Sequence, residues 1–499
     1  YLQNSKPMRL AVLCCLLTVI ALPSLAQKSG SLNSRGARNV GFNVDADTRA
    51  GQAKIFPIDT PYFSEDDWFK TAGYTGRGKN VIDMSDSANL KAQLSGGANI
   101  SFTKRMSTPP YDIMFYLPPD SVLPNFAPQF WVDAVYFRDY VSTDQTAFLT
   151  GAKNGANPNI WKGGTTSVSN KADIIDAFAH VRTSGRNPIK DSVWFFAGIS
   201  TLGTDGARYF DIEVYREPIN LVGGNFVSQG TSYGHSHWSF DAASNITQTG
   251  DLVISVAYAN NGAPEIDFRI WLKKSTYDSI VAKQIIPKAF KLDGKWNAAD
   301  DTNFGYAQIT SINETDEWGT GLGNYTGNAT ADSTYSTPWG TINTKGNWSQ
   351  TYDQLQFVEI SLNFSRFGMN PFSYVTSFCK SPYSSILFKS RNSPEFNASL
   401  NDFVGPVDFS IKPMAPFTVT PETLTCTKST SNLFFNFEAR NYYRLIDEKG
   451  DTLRKDVDFF MYPVAGRVMQ VTKPGTYRVE ATNFQGCPTM GSQTVTVLK

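Results

Sequence analysis

The sequence predicts an all-β protein, a jelly-roll-like two-sheet sandwich followed by a small immunoglobulin-like β-sandwich. Three observations carry this. Aromatic residues reach 13% while charged residues stop at 18%, and Gly, Asn, Thr and Ser fill the gaps between them, which suits short strands joined by polar turns. Apolar residues alternate over short runs bounded by turn residues, the pattern of half-buried strands. Few long helical patterns appear, and the best is Lys171–Arg182.

The chain has 499 residues, too many for one ordinary core, so about two or three domains are expected. Its 45 basic and 45 acidic residues cancel. Without a field of one sign there is nothing to draw in nucleic acid or an anionic membrane surface. The organisation read from composition is a signal peptide with upstream residues at 1–26, a polar leader at 27–55, a sandwich domain at 56–411 and an immunoglobulin-like domain at 412–499.

Met8 and Arg9 precede an apolar run from Leu10 to Leu22, followed by "PSLAQ". The run is short for a membrane span, and Ser24 and Ala26 supply small residues where a signal peptidase reads. These features predict a cleaved export signal, with a retained anchor as the rival. Cys14 and Cys15 lie inside the apolar run without preceding small residues, against a lipoprotein. No later segment is long and apolar enough to cross a membrane. The expected location is therefore secreted or outer cell surface.

In the sandwich domain, "KADIIDAFAHVR" (171–182) pairs Ile174 with Phe178 and Ile175 with Ala179 at helical spacing, with Asn170 as a cap, so a short helix is expected there. "DSVWFFAGIS" and "ARYFDIEVYRE" flank "TLGTDG" and read as a hairpin; "GDLVISVAYAN" and "EIDFRIWLKK" flank "NGAP" and read as another. "QLQFVEISLNFS", "SILFKSR" and "VGPVDFSI" add strands. Asp316–Tyr352 is rich in Gly, Thr, Asn and Trp without a steady period and reads as a long surface loop or decorated hairpin. Trp194, Trp238 and Trp271 sit in strand-like runs and are expected in the core.

Pro413 and Pro416 mark a linker. Beyond them, Tyr477, Val479 and Ala481 share a strand face. The Cys426–Cys487 separation is that of an immunoglobulin-type inter-sheet bridge, and such a loop would stabilise by about 4 kcal/mol in the chain-entropy model. The Trp of antibody domains is missing, since none of the ten Trp lies beyond Trp348. Cys379 is left over, either buried and free or the true partner of one of the others.

The segments "DDWFKTAGYTGRGKNVIDMSD", "ANISFTKRMSTPPY", "FWVDAVYFRDYV", "FLTGAKNGANPNIWK", "NKADIIDAFAHV", "GARYFDIEVY", "HWSFDAASNITQTGDLVISVAY" and "QFVEISLNFSRFGMNP" follow one another in this order. In that order and spacing, over roughly residues 60–411, the chain resembles the N-terminal region of large secreted surface proteins of Bacteroidetes. The C-terminal unit resembles one of their immunoglobulin-like or PKD-like repeats. The resemblance implies export through type IX or gliding-motility-associated secretion machinery. It supplies no catalytic residues. A sorting domain is not recognisable before Lys499, so either the sequence is a fragment or anchoring is done differently.

The chemistry-bearing candidates are few. Asp211 and Glu213 lie two apart on a strand, hence on one face about 7 Å apart. Retaining glycosidases hold two carboxyls about 5–5.5 Å apart, and jelly-roll enzymes of that kind arrange carboxylates as E-x-D-x-E. Here the pattern reads Tyr209-x-Asp211-x-Glu213, and the first carboxylate is absent. Phe210, Ile212 and Val214 would face the core, with Tyr209, Asp211, Glu213 and Tyr215 toward solvent or a groove. His235, His237 and Asp241 suggest a transition-metal chelate only weakly, and His180 reads as structural. Asp300, Asp301 and Asn303 after Asp293-Gly294 are a calcium candidate of clustered oxygen ligands, with Asp205 as a lone alternative. Trp318, Trp339 and Trp348 in the loop-rich stretch could stack on sugar faces, or cap the end of the sandwich.

The expected function is a non-catalytic adhesion or ligand-binding module without a cofactor other than calcium. Its partners would be surface glycans or other surface proteins. The alternatives are a divergent jelly-roll glycoside hydrolase or lyase, and a structural surface-layer component.

Overall fold

Fifteen strands between Phe102 and Asp408 pair into two antiparallel sheets. The computed structural model describes residues 41–50, 66–76, 78–107, 131–149, 151–184, 191–258, 264–283, 289–299, 303–312, 318–325, 332–370, 382–409, 419–435, 441–454, 468–483 and 491–499. In chain order the strands of the two sheets are β1 (Phe102–Arg105), β2 (Trp131–Arg138), β3 (Thr143–Phe148), β4 (Gly163–Ser167) and β5 (Ile174–Thr183). Then come β6 (Val193–Thr201), β7 (Arg208–Tyr215), β8 (Leu252–Tyr258), β9 (Pro264–Lys273) and β10 (Lys291–Ala298). The last are β11 (Phe304–Thr310), β12 (Gly319–Gly323), β13 (Phe357–Asn363), β14 (Ser385–Arg391) and β15 (Leu400–Asp408). The six-stranded sheet has the order β12-β13-β6-β5-β2-β1, and the nine-stranded sheet β10-β11-β9-β8-β7-β14-β15-β3-β4.

The interior between the sheets is apolar. Val135, Ala177, Ala179, Val181, Phe195, Ala197 and Ile360 come from one sheet. Phe210, Ile212, Val214, Ile254, Phe268, Ile386 and Phe388 come from the other. Alternation along β7 puts Phe210, Ile212 and Val214 inward as the period of two requires. The all-β sandwich expected from the sequence is the fold.

The helix expected at Lys171–Arg182 is instead strand β5, buried along its whole length. Ala177, Ala179 and Val181 point into the interior, while Phe178 packs on the opposite face in a second apolar layer. A strand covered on both faces carries apolar residues at both parities, and pairs four apart then arise without a helix. The "DSVWFFAGIS"–"ARYFDIEVYRE" hairpin is also corrected: β6 lies in the six-stranded sheet and β7 in the nine-stranded one. Turn residues between two strands make the chain reverse, but do not force the strands to pair. The second hairpin forms, with Leu252 opposite Ile270 and Tyr258 opposite Pro264.

The second layer covers the outer face of the six-stranded sheet. Phe42, Trp68, Phe69, Val81, Ile82 and the helix α1 (Ser87–Ser95), through Leu90 and Leu94, pack there on Tyr136, Phe178, Phe196 and Phe357. The stretch expected to be a loop or decorated hairpin adds to it. It contributes β12 to the sheet, then folds into two short pairs, Thr334–Tyr335 with Thr351–Tyr352 and Thr341–Ile342 with Trp348–Ser349, and buries Trp339 and Tyr352 in this layer.

The C-terminal unit has its own two sheets. β16 (Val419–Pro421), β17 (Ser431–Phe435) and β20 (Val468–Val471) form one; β18 (Asn441–Ile446), β19 (Thr452–Arg454), β21 (Gly475–Asn483) and β22 (Gly491–Val497) form the other. Leu433, Leu445, Met469, Tyr477, Val479, Val495 and Val497 fill its core. Cys426 is exposed and free, so the expected Cys426–Cys487 bridge is not shown. Cys487 and Cys379 lie outside the described residues, as does the expected boundary at 411–412.

Phe178 touches Trp68, Phe69, Tyr136 and Phe357. Phe178→Ala is expected to cost about 3–5 kcal/mol, measured by urea unfolding. A helix with Phe178 on a peripheral face would lose well under half of that.

Candidate functional site

The outer face of the nine-stranded sheet carries buried charge between two apolar clusters, one around Trp271 and Tyr306 and one around Tyr215, Leu387 and Phe403. Asp211 and Glu213 share this face of β7 as the sequence requires, but both are buried. The expectation that they face solvent or a groove is corrected by what lies over them: segments near residues 152–161, 230–238 and 393–399 close the face. Asn154 donates to Asp211 Oδ2 at 2.6 Å and to the Phe396 carbonyl at 3.0 Å. Ser255 Oγ, across the pair from β8, donates to Asp211 Oδ1 at 2.6 Å.

Each carboxylate has a cation. Arg391 Nε lies 2.7 Å from Asp211 Oδ2. Lys389 Nζ pairs with Glu213 and also donates to Asn154 Oδ1 at 2.7 Å. Both cations come from β14, hydrogen-bonded to β7 with Lys389 opposite Asp211 and Arg391 opposite Tyr209. The ion pairs therefore run diagonally across the ladder. Tyr306 of β11 donates its hydroxyl to Glu213.

A third acid, Asp251, converges on the same place through His235. The imidazole Nδ1 is 3.1 Å from Asp251 Oδ2 and 3.3 Å from Glu213 Oε1, and Nε2 is 3.2 Å from the Ala156 carbonyl. Acceptors on both sides require both ring nitrogens to donate, which defines an imidazolium. Burial opposes that charge, yet the bonds and fields of Asp251 and Glu213 outweigh it and raise the His235 pKa to about 9. Burial also pushes Glu213 upward, but Lys389 and His235 overcome it and hold this carboxyl well below the usual range. Asp211, Glu213 and Asp251 are thus balanced by Arg391, Lys389 and His235. Glu213, His235 and Asp251 have the spacing of a metal group, but His235 Nδ1 is already engaged with both carboxylates and Lys389 pairs with Glu213.

The remaining sequence candidates are dispersed. His237 bonds Ser232 Oγ at 2.6 Å, and Asp241 accepts from Ala243 and Asn245 within its own turn. They do not join His235. His180 lies on β5, not on a helix, and is buried with Nδ1 2.9 Å from the Asp133 carbonyl. Trp318 is buried against Phe268 and Phe367 in the interior. Trp339 is buried in the second layer, donating to Tyr136 at 2.9 Å. The half-buried Trp348 donates to the Trp339 carbonyl at 3.0 Å. The three rings therefore form no exposed platform; they order the decorated hairpin. Asp300 and Asp301 lie outside the described residues, and the Asn303 carbonyl accepts from Lys274 N at 2.7 Å. Trp194, Trp238 and Trp271 are buried as expected.

Two acidic groups escaped the sequence reading. Asp45, Asp47 and Asp67 gather beside Glu359, whose Oε2 accepts from Asp45 N at 3.1 Å and Ala46 N at 2.7 Å. Asp139, Asp144 and Asp402 gather where the two sheets approach. Neither has a contiguous motif.

No protein-family model matches the chain, and no curated protein matches it. Among solved structures it is similar to the adhesin domain of Epf from Streptococcus pyogenes, at 11% identity over 75% of this chain and 98% of that one, with a TM-score of 0.16. A likeness at that TM-score carries no argument about this chain.

The pH dependence follows from His235. A folded-state pKa of about 9 against 6.5 in the unfolded chain gives stability that is complete below pH 6.5 and is lost as pH rises through 9. The melting temperature is expected to fall over that interval, and His235→Gln to flatten the fall. An unchanged slope in the variant would place the titration elsewhere.

Proposed function

We propose that this chain is a non-catalytic binding module of an exported protein, displayed at the outer cell surface, with the C-terminal sandwich as a spacer. The observation that carries the reading is the closure of the strand carboxylates: Asp211 and Glu213 are buried and each is held by a cation. A general acid or nucleophile must reach substrate, and these groups reach only Arg391, Lys389, His235 and their neighbours. The family resemblance supports export and display.

The surface offers a contact region of a different kind. Leu149, Ile160, Leu221, Val222 and Val227 are exposed, with Ile160 and Val222 each at 59%. They gather at one corner. Residues Ile219–Val222 and Asn225–Ser228 form a hairpin. Gly163 N bonds the Gly224 carbonyl at 2.8 Å, and Ser228 N bonds Asn159 Oδ1 at 2.8 Å, which brings the hairpin beside β4 and Ile160. Grouped exposed aliphatic side chains favour a protein partner. Sugars are held by flat rings with polar neighbours, and Trp318 and Trp339 are buried.

The test is an array of immobilised proteins and glycans probed with the full chain and with an Ile160→Ser/Val222→Ser/Val227→Ser variant. Binding to protein spots, lowered about tenfold or more in the variant at unchanged melting temperature, is expected. Release of soluble sugar, or binding to glycans alone that the variant leaves intact, would refute the proposal.

A further inference from the structure

We propose that Asp139, Asp144 and Asp402, with Asp173 beside them, form a calcium site that ties the two sheets of the sandwich together. Asp139 follows β2 and Asp173 precedes β5, both of the six-stranded sheet; Asp144 lies in β3 and Asp402 in β15, both of the nine-stranded sheet. One ligand oxygen from each of Asp139, Asp144 and Asp402 lies within 4.8 Å of the others.

The orientation of each carboxylate is the second observation. One oxygen of each is fixed by the protein. Asp139 Oδ1 accepts from Tyr140 N and Thr146 Oγ1, both at 2.8 Å. Asp144 Oδ1 accepts from Thr146 N at 2.8 Å and lies 2.5 Å from Thr146 Oγ1, whose single proton it shares with Asp139 Oδ1. Asp173 Oδ2 accepts from Ser142 N at 2.8 Å. Asp402 Oδ2 accepts from Ile174 N at 2.6 Å, itself a bond from one sheet to the other. The opposite oxygen of each, Asp139 Oδ2, Asp144 Oδ2, Asp173 Oδ1 and Asp402 Oδ1, is buried and has no hydrogen-bond partner. All four side chains are nearly or fully buried.

A buried carboxylate with one oxygen unpartnered and no counter-charge is costly. Around Asp211 and Glu213 the chain supplies Arg391 and Lys389. Here, among the described residues, no ion pair reaches any of the four, and the nearby Arg138 is committed to Asp176 at 3.1 Å. The group's donors are all carboxylate oxygens, with neither nitrogen nor sulfur, which selects a hard ion. Several carboxylates held by backbone amides suit calcium better than magnesium, which prefers to keep its waters.

The experiment is calcium titration of the full chain by calorimetry, with thermal melting at neutral pH in calcium, magnesium or chelator. Asp144→Asn and Asp402→Asn retain an oxygen for the amide bonds and remove one negative charge. Asp67→Asn, in the other acidic group, leaves this site intact. Calcium is expected to raise the melting temperature of the full chain more than magnesium does. Asp144→Asn and Asp402→Asn should each weaken one calcium-binding event by about tenfold or more, while melting higher than the parent in chelator because repulsion is relieved. Three outcomes would overturn the proposal: no calcium binding, binding removed by Asp67→Asn but untouched by both other variants, or stability that depends on pH alone, as a shared proton would give.

Discussion

A sheet covered on both faces must compensate every charge it carries, and most of this molecule follows from that constraint. The nine-stranded sheet has hydrocarbon between the sheets and chain segments over its outer face. Asp211 and Glu213 therefore cannot be solvated. They are tolerable because β14 places Lys389 and Arg391 diagonally across the ladder, and because His235 brings a proton to the Glu213–Asp251 pair. Removing one member would leave an uncompensated buried charge, which costs far more than the intact pair contributes. The network is thus better understood as the condition for closing that face than as reactive machinery.

The other sheet meets the same constraint with aromatic residues. Phe42, Trp68 and Phe69 arrive from the N-terminal side and Trp339 and Tyr352 from the decorated hairpin, so that Phe178 and Tyr136 are as dry on the outside as Ala177 and Val135 are on the inside. Asp176 sits in this layer, holding Tyr136, Arg138, Thr341 and Tyr352 in one buried hub. Among the described residues, exposed hydrocarbon groups at the corner around Ile160, Val222 and Val227, and the binding proposal rests there.

How much of this could be read from the residues depended on the range of the signal. Alternation is local, and it identified β7, β8, β9 and β13 and the inward set Phe210, Ile212 and Val214. It failed on β5, where burial on both faces erases the polar half of the period and leaves pairs such as Ile174–Phe178 that imitate a helix. Turn residues between Thr201 and Arg208 gave the reversal but not the sheet in which the next strand would pair. The Asp211–Glu213 juxtaposition was legible; its cations were not, because Lys389 and Arg391 are brought to β7 only by a register between distant strands. The Asp139–Asp144–Asp402 group was invisible for the same reason: no spacing in the chain marks residues that meet only when two sheets stack. For Trp318 and Trp339 the sequence left a sugar platform and a cap of the sandwich end both open, and the structure buries the two rings.

The central claim is that the strand carboxylates are sealed from solvent. Carbodiimide-driven labelling of carboxyl groups in the native protein, read residue by residue by mass spectrometry, tests it most directly. Glu217 and Asp278, whose side chains are 37% and 54% exposed, provide the reference rate. The account predicts rapid labelling of those two and none of Asp211, Glu213 or Asp251 until the chain unfolds. Labelling of Asp211 or Glu213 at the rate of Glu217 would contradict it.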